Sequence, residues 1–184
     1  MANLKESASQ TAGPYVHIGC VPQTAGLEQR GMGPQLGTKM VSLDTMQNKI
    51  SLDIGVLDGD GQYVKDALIE IWQASSDGTF DQSGGFSNWG RQATNLETGQ
   101  ARFETVKPGA VDGQAPHVLV WIAARGINLA LTTRLYFPDE DNSQDAVLQL
   151  AGARASTLIA EKTDTGYAHT VYLQGPNETV FFDV

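Results

Sequence analysis

From Ile50 the chain alternates. Ile50, Leu52, Ile54 and Val56 are apolar, while Ser51, Asp53 and Gly55 are polar or small. That period of two puts four apolar side chains on one face of a strand. The same signal returns in short runs. Leu68, Ile69, Ile71 and Trp72 mark a second strand, and residues 102–106 a third. Residues 118–123 are nearly all apolar, as a central strand requires, and Leu129, Leu131, Thr133, Leu135 and Phe137 alternate again. Residues 157–160, 167–173 and 179–182 are further strand candidates. Turn sequences separate these runs: Asp58-Gly59-Asp60-Gly61, Pro108-Gly109, and Arg125-Gly126-Ile127-Asn128 as a hairpin connection.

One helix is predicted, over residues 143–151. Asp141 or Ser143 caps it, Ala146, Val147 and Leu150 form its apolar face, and Gly152 stops it. Residues 75–99 read as a long irregular stretch containing Gly78, Gly84, Gly85 and Gly90. Residues 1–40 lack periodicity and are punctuated by Gly13, Pro14, Gly19, Pro22, Gly26, Gly31, Gly33, Pro34 and Gly37. The expectation is an all-β, single-domain antiparallel β-sandwich over residues 1–184. Residues 1–40 form an irregular N-terminal arm, residues 50–184 form the sandwich core, and there is one short helix.

Composition narrows the function classes. The net charge is −9, which argues against a nucleic-acid partner and an anionic membrane surface. No apolar run approaches the roughly 20 residues of a membrane span. The single cysteine, Cys20, excludes an internal disulfide. The N-terminus has no apolar segment of the secretory type, so a cytoplasmic protein is expected. Asn177-Glu178-Thr179 fits a glycosylation acceptor only by chance on this reading.

Generic catalytic patterns are missing. His17, His117 and His169 have no helical i, i+4 spacing and no cysteine pair beside them. The Asp58 turn departs from a calcium loop, with Tyr63 at the sixth position and Ile69 at the twelfth. There is no G-x-S-x-G, and Cys20 has only His17 nearby. Glu70 with Asp81, and residues 139–141, read as solvated acids, and Gly84-Gly85 lacks a following Lys-Ser/Thr. On pattern alone, His117 is a histidine hydrogen-bonded at a strand start. Leu119 shares its face.

Three segments carry a resemblance: IEIWQASSDGTF (residues 69–80), VKPGAV (106–111) and APHVLV (115–120). They resemble the iron-ligand segments of intradiol ring-cleavage dioxygenases, where two tyrosines and two histidines hold a ferric ion. Phe80 and Ala110 stand at the tyrosine positions, and His117 and Leu119 at the histidine positions. Gln114 stands where catalytic members carry an arginine. SQTAGPYVHIG (9–19), ARGINLALTTRLYF (124–137) and ETVFFDV (178–184) are similar to segments of the family's non-catalytic α-type subunits.

The resemblance implies an intradiol-dioxygenase-like fold and a chain with no metal and no catalytic residue of its own. Its partner is a homologous catalytic β subunit that carries Fe(III), in an αβ hetero-oligomer of higher multiplicity. The implied reaction is cleavage of protocatechuate, a carboxylated catechol, by O2 to 3-carboxy-cis,cis-muconate. Thr11, Ala12, Gly13, Pro14, Tyr15 and Arg125 are implied to line the partner's substrate pocket. Phe80, Ala110, His117 and Leu119 are relict ligand positions. An arginine fork suits a carboxylate, although a loop arginine such as Arg125 is by default solvated. Arg134, Arg91 and Arg102 have weaker claims, and packing of its stem explains Arg134 on a strand. Two alternatives stay open: a degenerate sandwich that binds an aromatic ligand near Phe80, Ala110 and Leu119, and a purely structural subunit.

Overall fold

The computed structural model describes residues 8, 10–27, 35–81 and 85–183. Ser9, Gly31, Gly33, Pro34, Gly84 and Val184, which enter the readings above, lie outside them. Among the described residues, eight strands make up two sheets. In chain order they are β1 (Lys49–Leu57), β2 (Leu68–Gln73), β3 (Trp89–Ala93), β4 (Gln100–Val106), β5 (His117–Ala123), β6 (Leu131–Tyr136), β7 (Glu161–Lys162) and β8 (Gly166–Tyr172). One sheet has the order β4-β1-β8-β7 and the other β3-β2-β5-β6.

The alternation of β1 does what its period demands: Leu52, Ile54 and Val56 are fully buried. Phe103 of β4 and Val171 of β8 join them from the same sheet. Ile69, Ile71, Val118, Val120, Ile122 and Leu135 face them from the other. Burial of these side chains is the dominant stabilising term, at about 1.5–3 kcal/mol each. A polar stitch crosses this core. Thr105 Oγ1 of β4 donates to Gln73 Oε1 of β2 at 2.9 Å, and Gln73 Nε2 donates to the Val106 carbonyl at 2.7 Å. Both side chains are buried and satisfied, so the stitch fixes sheet register at little desolvation cost.

The sheets are antiparallel except in one place. β1 and β8 run parallel, from Ser51 opposite Gly166 to Leu57 opposite Tyr172. At the start of this pairing a Cβ on residue 166 would strike the Ser51 backbone, so glycine is required there.

Several sequence expectations need correction. The arm is not wholly irregular, because Pro14–Cys20 forms a helix, α1. Proline at its first position has a preset φ and no amide hydrogen to leave unpaired. The second helix, α2 (Ala146–Leu150), is capped by Asp145 rather than Asp141 or Ser143. Gly152 does not stop the chain there; a 3-10 helix continues over Gly152–Leu158. That helix takes up Thr157 and Leu158 of the strand predicted at 157–160, and Ile159 makes only an isolated bridge to Tyr136. Residues 179–182 are not a strand either. They run beside β6, with Thr133 Oγ1 donating to the Val180 carbonyl and Phe182 N to the Thr132 carbonyl. β3 lies inside the stretch read as irregular.

Candidate functional site

The segments that carry Phe80 and Ala110 come together through two glycines. Gly109 N donates to the Ser75 carbonyl at 2.9 Å. A Cβ on Gly78 would collide with the Ala110 carbonyl, and one on Gly109 would lie 2.6 Å from both Gly78 N and the Ser76 carbonyl. Only glycine permits this backbone-on-backbone approach. The chain then turns tightly. Asp112 and Gly113 both have positive φ, 48° and 77°, between the bridged residues Val111 and Gln114. That is the behaviour of an Asp-Gly type I′ turn, a signal present in the sequence and missed there. An open hollow of about 610 Å³ lies beside it, lined by Ser76, Lys107, Ala110, Gln114 and Asp145 among others.

Gln114 leads into a connected polar network. Arg134 Nη1 donates to Gln114 Oε1 at 2.6 Å and to Tyr136 Oη at 3.3 Å. Tyr136 donates onward to Asp145 Oδ1 at 3.0 Å. Asp145 also accepts from Val147 N and Leu148 N at the start of α2, and its Oδ2 accepts from Ala115 N. This buried carboxylate therefore clamps a helix terminus, the segment before β5 and the Tyr136 hydroxyl. Burial alone would raise its pKa, but these donors hold it below the ordinary carboxylate value. Burial pushes the Tyr136 hydroxyl up to about 12. Arg134 thus does more than pack its stem, contrary to the sequence reading. No short-range pattern could have shown it, because Gln114 lies 20 residues away.

His117 begins β5, opposite Tyr136 in β6, with the two rings 5.7 Å apart. Its Nδ1 lies 2.8 Å from the Ala115 carbonyl. A carbonyl only accepts, so Nδ1 carries the hydrogen and Nε2 keeps its lone pair in the neutral ring. Burial lowers the pKa of His117; the bond to Ala115 opposes this and the Arg134 charge reinforces it. Leu119 stands one step along the same face, opposite Arg134 on one side and Trp72 on the other. Phe80 is largely exposed.

These residues do not fit a ferric ion. A hard trivalent cation is held by anionic oxygen and nitrogen donors. The four positions offer one imidazole nitrogen, a phenyl ring, a methyl and an isobutyl group. The guanidinium beside the imidazole adds repulsion toward any second cation.

The arm and the Arg125 loop form a second locus. Gly126 N donates to Thr11 Oγ1 at 2.8 Å, so two segments singled out separately in the sequence meet in space. Gly13 caps α1 with its backbone, Pro14 opens the helix, and Tyr15 projects with 85 % of its surface exposed. Arg125 Nε is ion-paired with Asp66, and both residues line an open hollow of about 930 Å³ together with Gly126 and the exposed Leu129. Arg125 follows β5 at the end remote from His117. Six residue steps at ~3.3 Å put the two ends of β5 about 20 Å apart. That exceeds the reach of an arginine side chain, so Arg125 does not serve the His117 locus of its own chain.

No family model matches the chain. It is 39% identical over 197 residues to the protocatechuate 3,4-dioxygenase alpha chain of Pseudomonas putida, across 98% of this chain and 97% of that one. It is 34% identical over 150 residues to the protocatechuate 3,4-dioxygenase beta chain of Burkholderia cepacia, across 67% of this chain and 63% of the other. Among solved structures it resembles catechol 1,2-dioxygenase from Pseudomonas arvilla C-1, with a TM-score of 0.57 and 19% identity, over 91% of this chain and 72% of that one. The last likeness concerns the fold alone.

Proposed function

We propose a role that starts from family membership: the chain belongs to the family of protocatechuate 3,4-dioxygenase alpha chains, within the intradiol ring-cleavage dioxygenases. The role is that of a subunit that binds no iron and is inactive alone. It works beside a homologous catalytic beta chain that carries the ferric ion, in an assembly of several αβ pairs. Together they cleave protocatechuate between its hydroxyls with O2 to give 3-carboxy-cis,cis-muconate.

In this reading Thr11, Ala12, Gly13, Pro14, Tyr15 and Arg125 line the partner's substrate pocket. Arg125 supplies a cation for the substrate carboxylate in a chain whose net charge of −9 repels an anion. The observation that carries the reading is the Thr11–Gly126 hydrogen bond. It joins arm and loop into one surface, about 20 Å along β5 from His117, which supports a role toward another polypeptide rather than toward this chain's own His117 locus.

The test is Arg125→Ala in the assembled complex. KM for protocatechuate rises by about 10-fold or more, as loss of a charge-assisted contact predicts, with kcat little changed. KM for catechol, which has no carboxylate, stays the same. Unchanged KM for protocatechuate would support a purely structural subunit instead.

A further inference from the structure

β7 covers only part of the edge of β8. It pairs Glu161 with Ala168 and Lys162 with Tyr167, and stops there. The ladder would continue with Ile159 opposite Thr170, but Ile159 bridges to Tyr136 in the other sheet. At the far end Thr179 covers the edge: its N donates to the Tyr172 carbonyl at 3.0 Å, and Tyr172 N donates to Thr179 Oγ1 at 3.0 Å. Successive residues of a strand aim their main-chain groups at opposite neighbours, so Ala168, Thr170 and Tyr172 all address this edge. Between the two covered stretches the N–H and C=O of Thr170 have no partner among the described residues on that side.

A hollow of about 230 Å³ lies at this gap, lined by Glu161, His169, Thr170, Tyr172 and, from the 3-10 helix, Ser156 and Thr157 among others. Three groups around it are acceptors without donors. His169 is 4 % exposed with Nε2 unpartnered, and burial keeps its ring neutral by pulling the pKa down to about 4. The Glu161 carboxylate is exposed and has no ion pair or hydrogen bond among the described residues. The Thr170 carbonyl is the third. No described lysine or arginine lines the hollow, so an anion finds no counter-charge there. The described residues also hold no group of three His, Cys, Asp or Glu side chains fit for a metal ion. The set suits a cation that brings its own N–H donors. An ammonium group has three of them for three acceptors, and bonds to a charged group are the strong ones. The Tyr172 ring adds an aromatic face for the charge, and the net charge of −9 draws cations to the surface.

We propose that the gap beside Thr170 is a binding site for a small primary ammonium ion. The charge meets Glu161, and the N–H groups meet the Thr170 carbonyl and His169 Nε2. The imidazole accepts at Nε2 in the tautomer that carries its hydrogen on Nδ1. The site shares no residue with the Thr11–Arg125 surface or with the relict positions, so it and the role proposed above stand or fall separately.

The experiment is an NMR titration of the isotope-labelled full-length chain at neutral pH with ethylammonium chloride. Tetramethylammonium chloride and sodium chloride serve as comparisons at equal ionic strength. Ethylammonium shifts the Thr170 amide and the His169 ring saturably. Tetramethylammonium, with the same charge and no N–H, binds at least 10-fold more weakly, and sodium chloride gives no saturable shift. Glu161→Gln weakens ethylammonium at least 10-fold, and His169→Leu, which removes one acceptor, weakens it several-fold. Equal affinity for the two ammonium ions overturns the proposal, as does an absence of saturable shifts, which would leave the gap to water. If His169→Leu fails to fold, Glu161→Gln decides, because this exposed side chain contributes little to folding: wild-type affinity in that variant overturns the site.

Discussion

Thr11 and Gly126 are 115 residues apart in sequence and joined by a 2.8 Å hydrogen bond from the Gly126 amide to the Thr11 hydroxyl. That bond is the attachment of the arm to the Arg125 loop. In Thr11→Val the shape is kept and the acceptor is lost. A net contribution of about 1 kcal/mol corresponds to roughly a fivefold effect. In the assembled complex KM for protocatechuate rises by about that factor, less than in Arg125→Ala, and the arm is cut faster by protease than in the wild type. An unchanged KM together with unchanged cleavage would remove the arm from the pocket account.

Asp145 holds together the edge of the relict region. It is buried and accepts from Ala115, Val147, Leu148 and Tyr136. Asp145→Ala leaves several buried donors unpaired and removes a helix cap. The expected loss is ~2–4 kcal/mol in urea unfolding. Asp145→Asn keeps one acceptor oxygen and loses less.

The legibility of this chain follows from periodicity. β1 was readable because its inward residues are all large and apolar. β3 was not: its inward Gly90 leaves room for Met40 and Phe103, so the strand has no inward hydrophobe to announce it. Residues 179–182 have strand-forming side chains but lie beside β6 without a ladder. The parallel direction of β8 against β1 is a long-range fact that alternation does not encode. At the site, the substitutions at Phe80, Ala110 and Leu119 were visible as residue types. The Arg134 network was not, because it joins β6 to the turn before β5 and to the cap of α2, and contacts between segments that far apart have no local sequence signature.

Gly78 and Gly61 make a controlled pair. Both have positive φ, 77° and 73°, but Gly61 faces open space while a Cβ on Gly78 meets the Ala110 carbonyl. Gly61→Ala costs about 1 kcal/mol from backbone strain alone. Gly78→Ala costs that plus the collision, ~2–3 kcal/mol in all. Denaturant melts of the two variants give the difference directly. Equal losses would mean the two loops are not in close contact.

His169 sets a pH dependence. It lies on the inner face of β8 opposite Ile54, is 4 % exposed, and its Nε2 has no hydrogen-bond partner among the described residues. Burial pulls its pKa down from 6.5 to about 4. Below 6.5 the unfolded chain takes up a proton that the folded chain refuses until about pH 4. Stability therefore falls as pH falls through that window, by ~3 kcal/mol in total. His169→Leu flattens most of this slope. His117, whose pKa is also lowered, leaves a residual slope of the same sign.

The most direct measurement is iron per polypeptide, by metal analysis, for this chain purified alone and for the chain co-purified with the beta chain. The account predicts no stoichiometric iron in the lone chain and iron in proportion to the beta chain in the complex. One tightly held iron per lone chain would contradict it.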